Sequence, residues 1–177
     1  GDVVTDTYEK DGKDKKRKQL DPLGHGPRDD RGCRGCKNGL EEKTIVIFTS
    51  DHGYHLGEHD FWAKVSLRDE SAGVPLIISV PGKKPAVCHS LTELLDLYPT
   101  LASLCGLKVP QRLQGKNVAR MLDDPAHEVR QAAFSVAPSR KGFLLREDKW
   151  AYIQYRENAA GGIELFDMEK DPKQYTN

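Results

Sequence analysis

The sequence predicts an α/β fold with a small antiparallel sheet toward its carboxyl end, and three patterns carry that expectation. Thr44-Ile-Val-Ile-Phe-Thr49 is an unbroken β-branched and aromatic run, as in strands buried on both faces of a mainly parallel sheet. Leu94, Leu97, Tyr98, Leu101, Leu104 and Cys105 recur at spacings of three and four, the mark of an amphipathic helix. Residues 142–146, 150–155 and 163–167 are short strand-like runs, separated by a charged turn and by Gly161-Gly162, as in a meander.

The 177 residues suffice for one domain of ordinary size. Lys and Arg number 27 and so do Asp and Glu, which leaves no net field to favour nucleic acid. The longest largely apolar run, Val74 to Val80, is far short of the roughly 20 residues of a membrane-spanning helix, so no membrane span is expected. Composition breaks near residue 40. Residues 1–42 hold 20 of the 54 charges and only one of the 13 aromatics, Tyr8, and such a stretch buries little. Residues 1–38 are therefore read as a solvated, disordered or unrelated arm. Within it, acids surround Lys13-Asp-Lys-Lys-Arg-Lys18, which favours a solvated face over an anion-binding patch. Cys33-Arg-Gly-Cys36 lacks the second Cys or His pair that a structural zinc site needs, and Cys88 and Cys105 stand apart.

The elements follow in order from residue 39. The strand at 44–49 ends in Ser50-Asp51-His52-Gly53, and Gly53 permits a close turn of the backbone. A second strand, Pro75-Leu-Ile-Ile-Ser-Val80, is closed by Pro81-Gly82. Ser90 and Glu93 have capping-box spacing for the helix, Gly106 stops it, and Pro99 marks either a kink or its true first turn. Residues 39–135 are read as the main α/β part and 136–177 as the antiparallel subdomain, on which Trp150, Tyr152 and Tyr155 pack.

Open α/β sheets hold ligands just beyond the carboxyl ends of their strands, where Asp51 and His52 stand. A carboxylate beside an imidazole suits a divalent cation, although a purely structural Asp-His pairing leaves the same dipeptide. Lys64, in Trp62-Ala-Lys64, is either a contact for an anionic oxygen or a solvated loop lysine. His55 and His59 lie in the same loop, where they either line a cleft or buttress it, while His89 and His127 are read as surface or capping residues.

Phe48-Thr-Ser-Asp-His-Gly-Tyr-His-Leu-Gly-Glu-His59, followed by Trp62-Ala-Lys64, resembles the second signature region of the type I sulfatases, and among them the iduronate-2-sulfatase group with its bacterial relatives. Further blocks resemble the family in the same order: Val74-Pro-Leu-Ile-Ile-Ser-Val-Pro-Gly82, Leu94-Leu-Asp-Leu-Tyr-Pro-Thr-Leu-Ala-Ser-Leu-Cys-Gly106, Leu113-Gln-Gly115 and Glu164-Leu-Phe-Asp-Met-Glu-Lys-Asp-Pro172. The resemblance spans about residues 39–177. It implies an alkaline-phosphatase-like fold, a sheet sandwiched by helices with a smaller carboxyl-terminal antiparallel sheet. It also implies that Asp51 and His52 ligate calcium or another divalent cation and that Lys64 contacts sulfate oxygens, with His55 and His59 as further candidates for substrate contact. The implied activity is sulfuric ester hydrolysis on sulfated saccharides, and the implied location is exported, periplasmic or lysosomal. Oligomeric state is not indicated.

Two departures limit this expectation. The family's nucleophile is a formylglycine made from the Cys or Ser that opens a Cys/Ser-x-Pro-x-Arg string, and the sequence contains none. Val136-Ala-Pro-Ser-Arg140 has the ending, but Val136 has no nucleophilic atom. The paired aspartates that the family places near its amino terminus are missing as well. The chain is thus expected to be the later portion of a sulfatase, inactive by itself. It is also expected to hold calcium weakly, because that ion prefers six to eight oxygens. A phosphodiesterase or phosphonate hydrolase of the same superfamily is the enzymatic alternative, and a noncatalytic remnant or binding module is the other.

Overall fold

The computed structural model describes residues 39–138 and 141–177. The arm at 1–38, with its lysine run and Cys33 and Cys36, lies outside the described residues, as do Ser139 and Arg140.

The apolar run after Thr44 forms β1 (Val46–Thr49), and Leu-Ile-Ile-Ser forms β2 (Leu76–Ser79). They pair antiparallel, Val46 opposite Ser79 and Thr49 opposite Leu76, which corrects the parallel arrangement expected from the run. Phe48 is 59% exposed, so β1 is not buried on both faces among the described residues. The cause is physical: an apolar run specifies a strand that can be buried, but neither the direction of its partner nor what covers its faces. Between the strands lie a 3-10 turn at Glu58–Asp60 and the short helix α1 (Asp69–Ala72).

Helix α2 (Leu97–Leu104) follows a 3-10 turn at Leu94–Asp96. The capping box is made by Glu93 and Asp96, one turn later than Ser90 and Glu93 would place it. Ser90 Oγ instead donates to the His127 carbonyl at 2.9 Å. Pro99 sits in the first turn of α2, where its missing N–H interrupts no helical bond. Gly106, at φ +69°, ends the helix in the left-handed region. The buried face consists of Pro99, Thr100 and Ala102, whereas Leu94, Tyr98, Leu101 and Cys105 are exposed. That reverses the expected core stripe. Polar anchoring decides the helix's rotation: Thr100 Oγ1 accepts the Val118 N–H at 3.0 Å, and the buried Asp96 fixes its start.

Downstream, β3 (Ala132–Val136), β4 (Gly142–Glu147), β5 (Trp150–Tyr155) and β6 (Ile163–Asp167) form an antiparallel sheet in sequence order. The last three strands are the expected meander, and β3 is an addition. Alternation sends Leu144, Ala151, Ile153 and Phe166 to one face, where they form a core with Leu67 and Met168. The other face aligns Phe134, Leu145, Tyr152 and Leu165 in register across all four strands. A second cluster joins Cys88, Val118 and Met121. Among the described residues no helix is long and apolar enough to cross a membrane.

Candidate functional site

Asp51 and His52 leave the end of β1 side by side. His52 Nδ1 lies 2.7 Å from the Gly53 carbonyl and donates to it, which leaves Nε2 as the ring nitrogen open to a ligand. Nε2 is 3.6 Å from Asp51 Oδ2. Asp51 Oδ1 accepts the His52 N–H at 3.1 Å, and the Asp51 side chain is 85% exposed.

Gly53 is required by a close approach. A Cβ there would come within 2.0 Å of the Glu70 carbonyl oxygen, and the Gly53 N–H donates to the Ser71 carbonyl at 2.8 Å. The glycine therefore lets the chain lie against α1. The buried Ser71 also turns its hydroxyl to the Lys64 carbonyl. One short helix thus fixes the backbone on both sides of the loop, next to Asp51 and His52 at one end and at Lys64 at the other.

The antiparallel sheet in turn anchors α1. Arg68, at the helix entrance, pairs with Glu164 at 2.7 Å and lies over the Phe166 ring at 4.9 Å. Tyr155 donates to the other Glu164 oxygen at 2.8 Å. Burial and this carboxylate push the Tyr155 hydroxyl up to about 12. Asp69 pairs with Arg146 at 3.3 Å, and its N–H donates to Gln174 Oε1 at 2.8 Å.

Asp51, His52 and Lys64 line one open cleft of about 920 Å³, together with Asp69, His89 and Arg146. Among the described residues no carboxylate forms an ion pair with Lys64. Sequence reasoning missed Asp69 and Arg146, which lie 77 positions apart and share no motif that could have announced them. His55 and His59 do not border this cleft. His55 is 1% exposed, and His59 lies 3.4 Å from Glu70 with its ring tilted against Tyr175 at 4.6 Å. Their signal in the sequence was the four-residue spacing, but nothing in it pointed to Glu70.

The residues fit a divalent cation as part of its shell. A free imidazole lone pair and an exposed carboxylate oxygen 3.6 Å apart can bind one ion, leaving most of the coordination of a calcium-sized ion to other donors.

An exposed carboxylate, an imidazole and a lysine thus line one cleft beyond a strand end on an α/β frame. Residues 57–177 match the N-sulphoglucosamine sulphohydrolase, C-terminal family, and the chain belongs to that family of sulfatases. It is 33% identical over 150 residues to arylsulfatase K of Mus musculus, a match covering 78% of this chain and 27% of the mouse protein. It is 35% identical over 144 residues to choline-sulfatase of Rhizobium meliloti strain 1021, covering 77% of this chain and 27% of that one. The structure of BT4656 with its substrate D-glucosamine-2-N,6-O-disulfate is similar with a TM-score of 0.68 and 26% identity, over 81% of this chain and 31% of that one. The chain thus spans about a quarter to a third of the length of these relatives.

Proposed function

We propose that this chain supplies part of the active site of a sulfuric ester hydrolase acting on sulfated saccharides. The observation that carries the reading is the convergence of Asp51, His52 and Lys64 on one cleft, although β1 and the α1 loop bring them there separately. Asp51 and His52 would hold calcium or another divalent cation, which when bound supplies positive charge beside the nonbridging sulfate oxygens. Lys64 sets its ammonium against the same group, its backbone held by Ser71. A sulfated saccharide is favoured by the sulfated glucosamine that the similar BT4656 takes as its substrate. The nucleophile is assigned to a formylglycine outside these 177 residues, because the sequence has no Cys/Ser-x-Pro-x-Arg string.

The test is sulfate release from a sulfated glucosamine by the protein isolated from its native source, with and without a calcium chelator. Lys64→Ala in that protein is expected to lower kcat/KM about 10²–10³-fold, and Asp51→Asn to weaken calcium activation. An unchanged kcat/KM in Lys64→Ala overturns the role of the lysine. Turnover of a phosphonate monoester in preference to the sulfate ester overturns the substrate class.

A further inference from the structure

The loop that carries Lys64 contains a second cluster that the proposed hydrolysis does not use. His55, His59 and Glu70 each offer a donor atom, and the three atoms lie within 4.8 Å of one another. His55 is 1% exposed, and neither of its ring nitrogens has a hydrogen-bond partner among the described residues. His59 Nε2 and Glu70 Oε2 likewise have none. A neutral imidazole carries one donor and one acceptor, and burying both without partners is costly enough that native structures rarely do so. The surroundings add rings and no polar partner for His55: Phe61 packs edge-on at 5.2 Å, and His59 at 5.7 Å.

We propose that His55, His59 and Glu70 form a binding site for a zinc-like transition-metal ion, distinct from the cation site at Asp51 and His52. Two imidazoles and one carboxylate are a donor set that zinc takes readily, whereas calcium prefers oxygen. Zinc bonds of about 2.0–2.1 Å place tetrahedral donors roughly 3.3 Å apart. The His59 and Glu70 donors already stand at 3.4 Å, so His55 alone has to close on them. The three ligands come from either side of the loop, two from residues 55–59 and one from α1. A metal there would tie the loop to α1 in addition to the Gly53 and Ser71 contacts. Its orphaned Glu70 Oε2 or a water would complete four-coordination.

The backbone selects the variants for the test. His59 has φ 56°, which asparagine tolerates better than alanine, so His59→Asn removes a ligand without straining the turn. Glu70→Gln keeps the shape of the side chain. The purified full chain, carrying Cys33→Ser and Cys36→Ser to remove two competing sulfur ligands, is titrated with cobalt(II) and then zinc(II). The parent is expected to give visible ligand-field bands of a low-symmetry site without thiolate charge transfer, to exchange cobalt for a single equivalent of zinc, and to melt at higher temperature with zinc. His59→Asn and Glu70→Gln, shown folded by circular dichroism, are expected to lose the bands and the zinc-dependent shift, while Asp51→Asn retains both. Absence of bound metal in the parent overturns the proposal. So does metal that persists in His59→Asn and Glu70→Gln, or that disappears in Asp51→Asn. None of these outcomes depends on sulfate turnover, so the site stands or falls separately from the hydrolase reading.

Discussion

Replacing Asp96 by asparagine tests the anchor that orients α2. Asp96 is 1% exposed and its two oxygens are fully engaged. Oδ2 accepts the Glu93 N–H at 2.8 Å and one Arg130 nitrogen, and Oδ1 accepts the Lys116 N–H at 2.7 Å and the other Arg130 nitrogen at 2.7 Å. The Arg130 side chain is itself buried, and its remaining carboxylate partner is Glu93 at 3.2 Å. Asparagine fills the same space, but its NH2 faces one of the two donor pairs, leaving an N–H and a guanidinium arm unmatched. Removing one partner of a buried pair costs about 3–5 kcal/mol, and the residual Glu93 contact places the expected loss near the lower end, at about 3 kcal/mol. For a chain of this size that is a fall of about 6–12 °C in Tm. Urea unfolding measures it directly, with m unchanged. Pairing Asp96→Asn with Arg130→Met in a double-mutant cycle should give a coupling of about 2 kcal/mol. A loss below about 1 kcal/mol, or no coupling, would refute the reasoning. Acid adds a second reading. Burial pushes the Asp96 carboxyl up, but Arg130 and the Lys116 and Glu93 N–H groups outweigh it and hold the pKa below the ordinary carboxylate value. The stability this contributes is present above the unfolded value and is lost as pH falls through the folded one, so Asp96→Asn should lack that acid limb.

Gly53→Ala should destabilise the chain by at least about 2 kcal/mol in urea, since its Cβ would meet the Glu70 carbonyl at 2.0 Å and the backbone would have to move. Tyr155→Phe should cost about 1 kcal/mol, because the hydroxyl that bonds Glu164 is half-buried. With its pKa raised to about 12, Tyr155 contributes stability that is intact below about 10 and lost between there and 12, a limb that Tyr155→Phe should abolish in alkaline melts. Ser71→Ala frees the Lys64 carbonyl and should lower kcat of the native-source enzyme more than it raises KM; an equal effect on stability with no change in kcat would make Ser71 purely structural.

By itself the sequence determined five of the six strand segments and offered Asp51, His52 and Lys64 as candidates for the chemistry. Those are properties of short windows. A β-branched run makes a strand, Gly106 stops a helix, and Ser50-Asp51-His52-Gly53 sets a carboxylate and an imidazole at a strand end, whatever surrounds them. Only the tertiary structure decided the rest, because it depends on partners far away in sequence. The antiparallel direction of β2 against β1 is visible only in their pairing, and the rotation of α2 follows the demands of the buried Asp96 and Thr100 rather than its leucines. The placing of Lys64 on the cleft that Asp51 and His52 line runs through Ser71, and α1 is held in turn through Arg68 by Glu164 and Gln174 of the carboxyl-terminal segment. His55 and His59 became a pair with Glu70 for the same reason. Spacing along the chain offered two imidazoles, but the carboxylate that completes the cluster is brought in only when α1 folds against the loop.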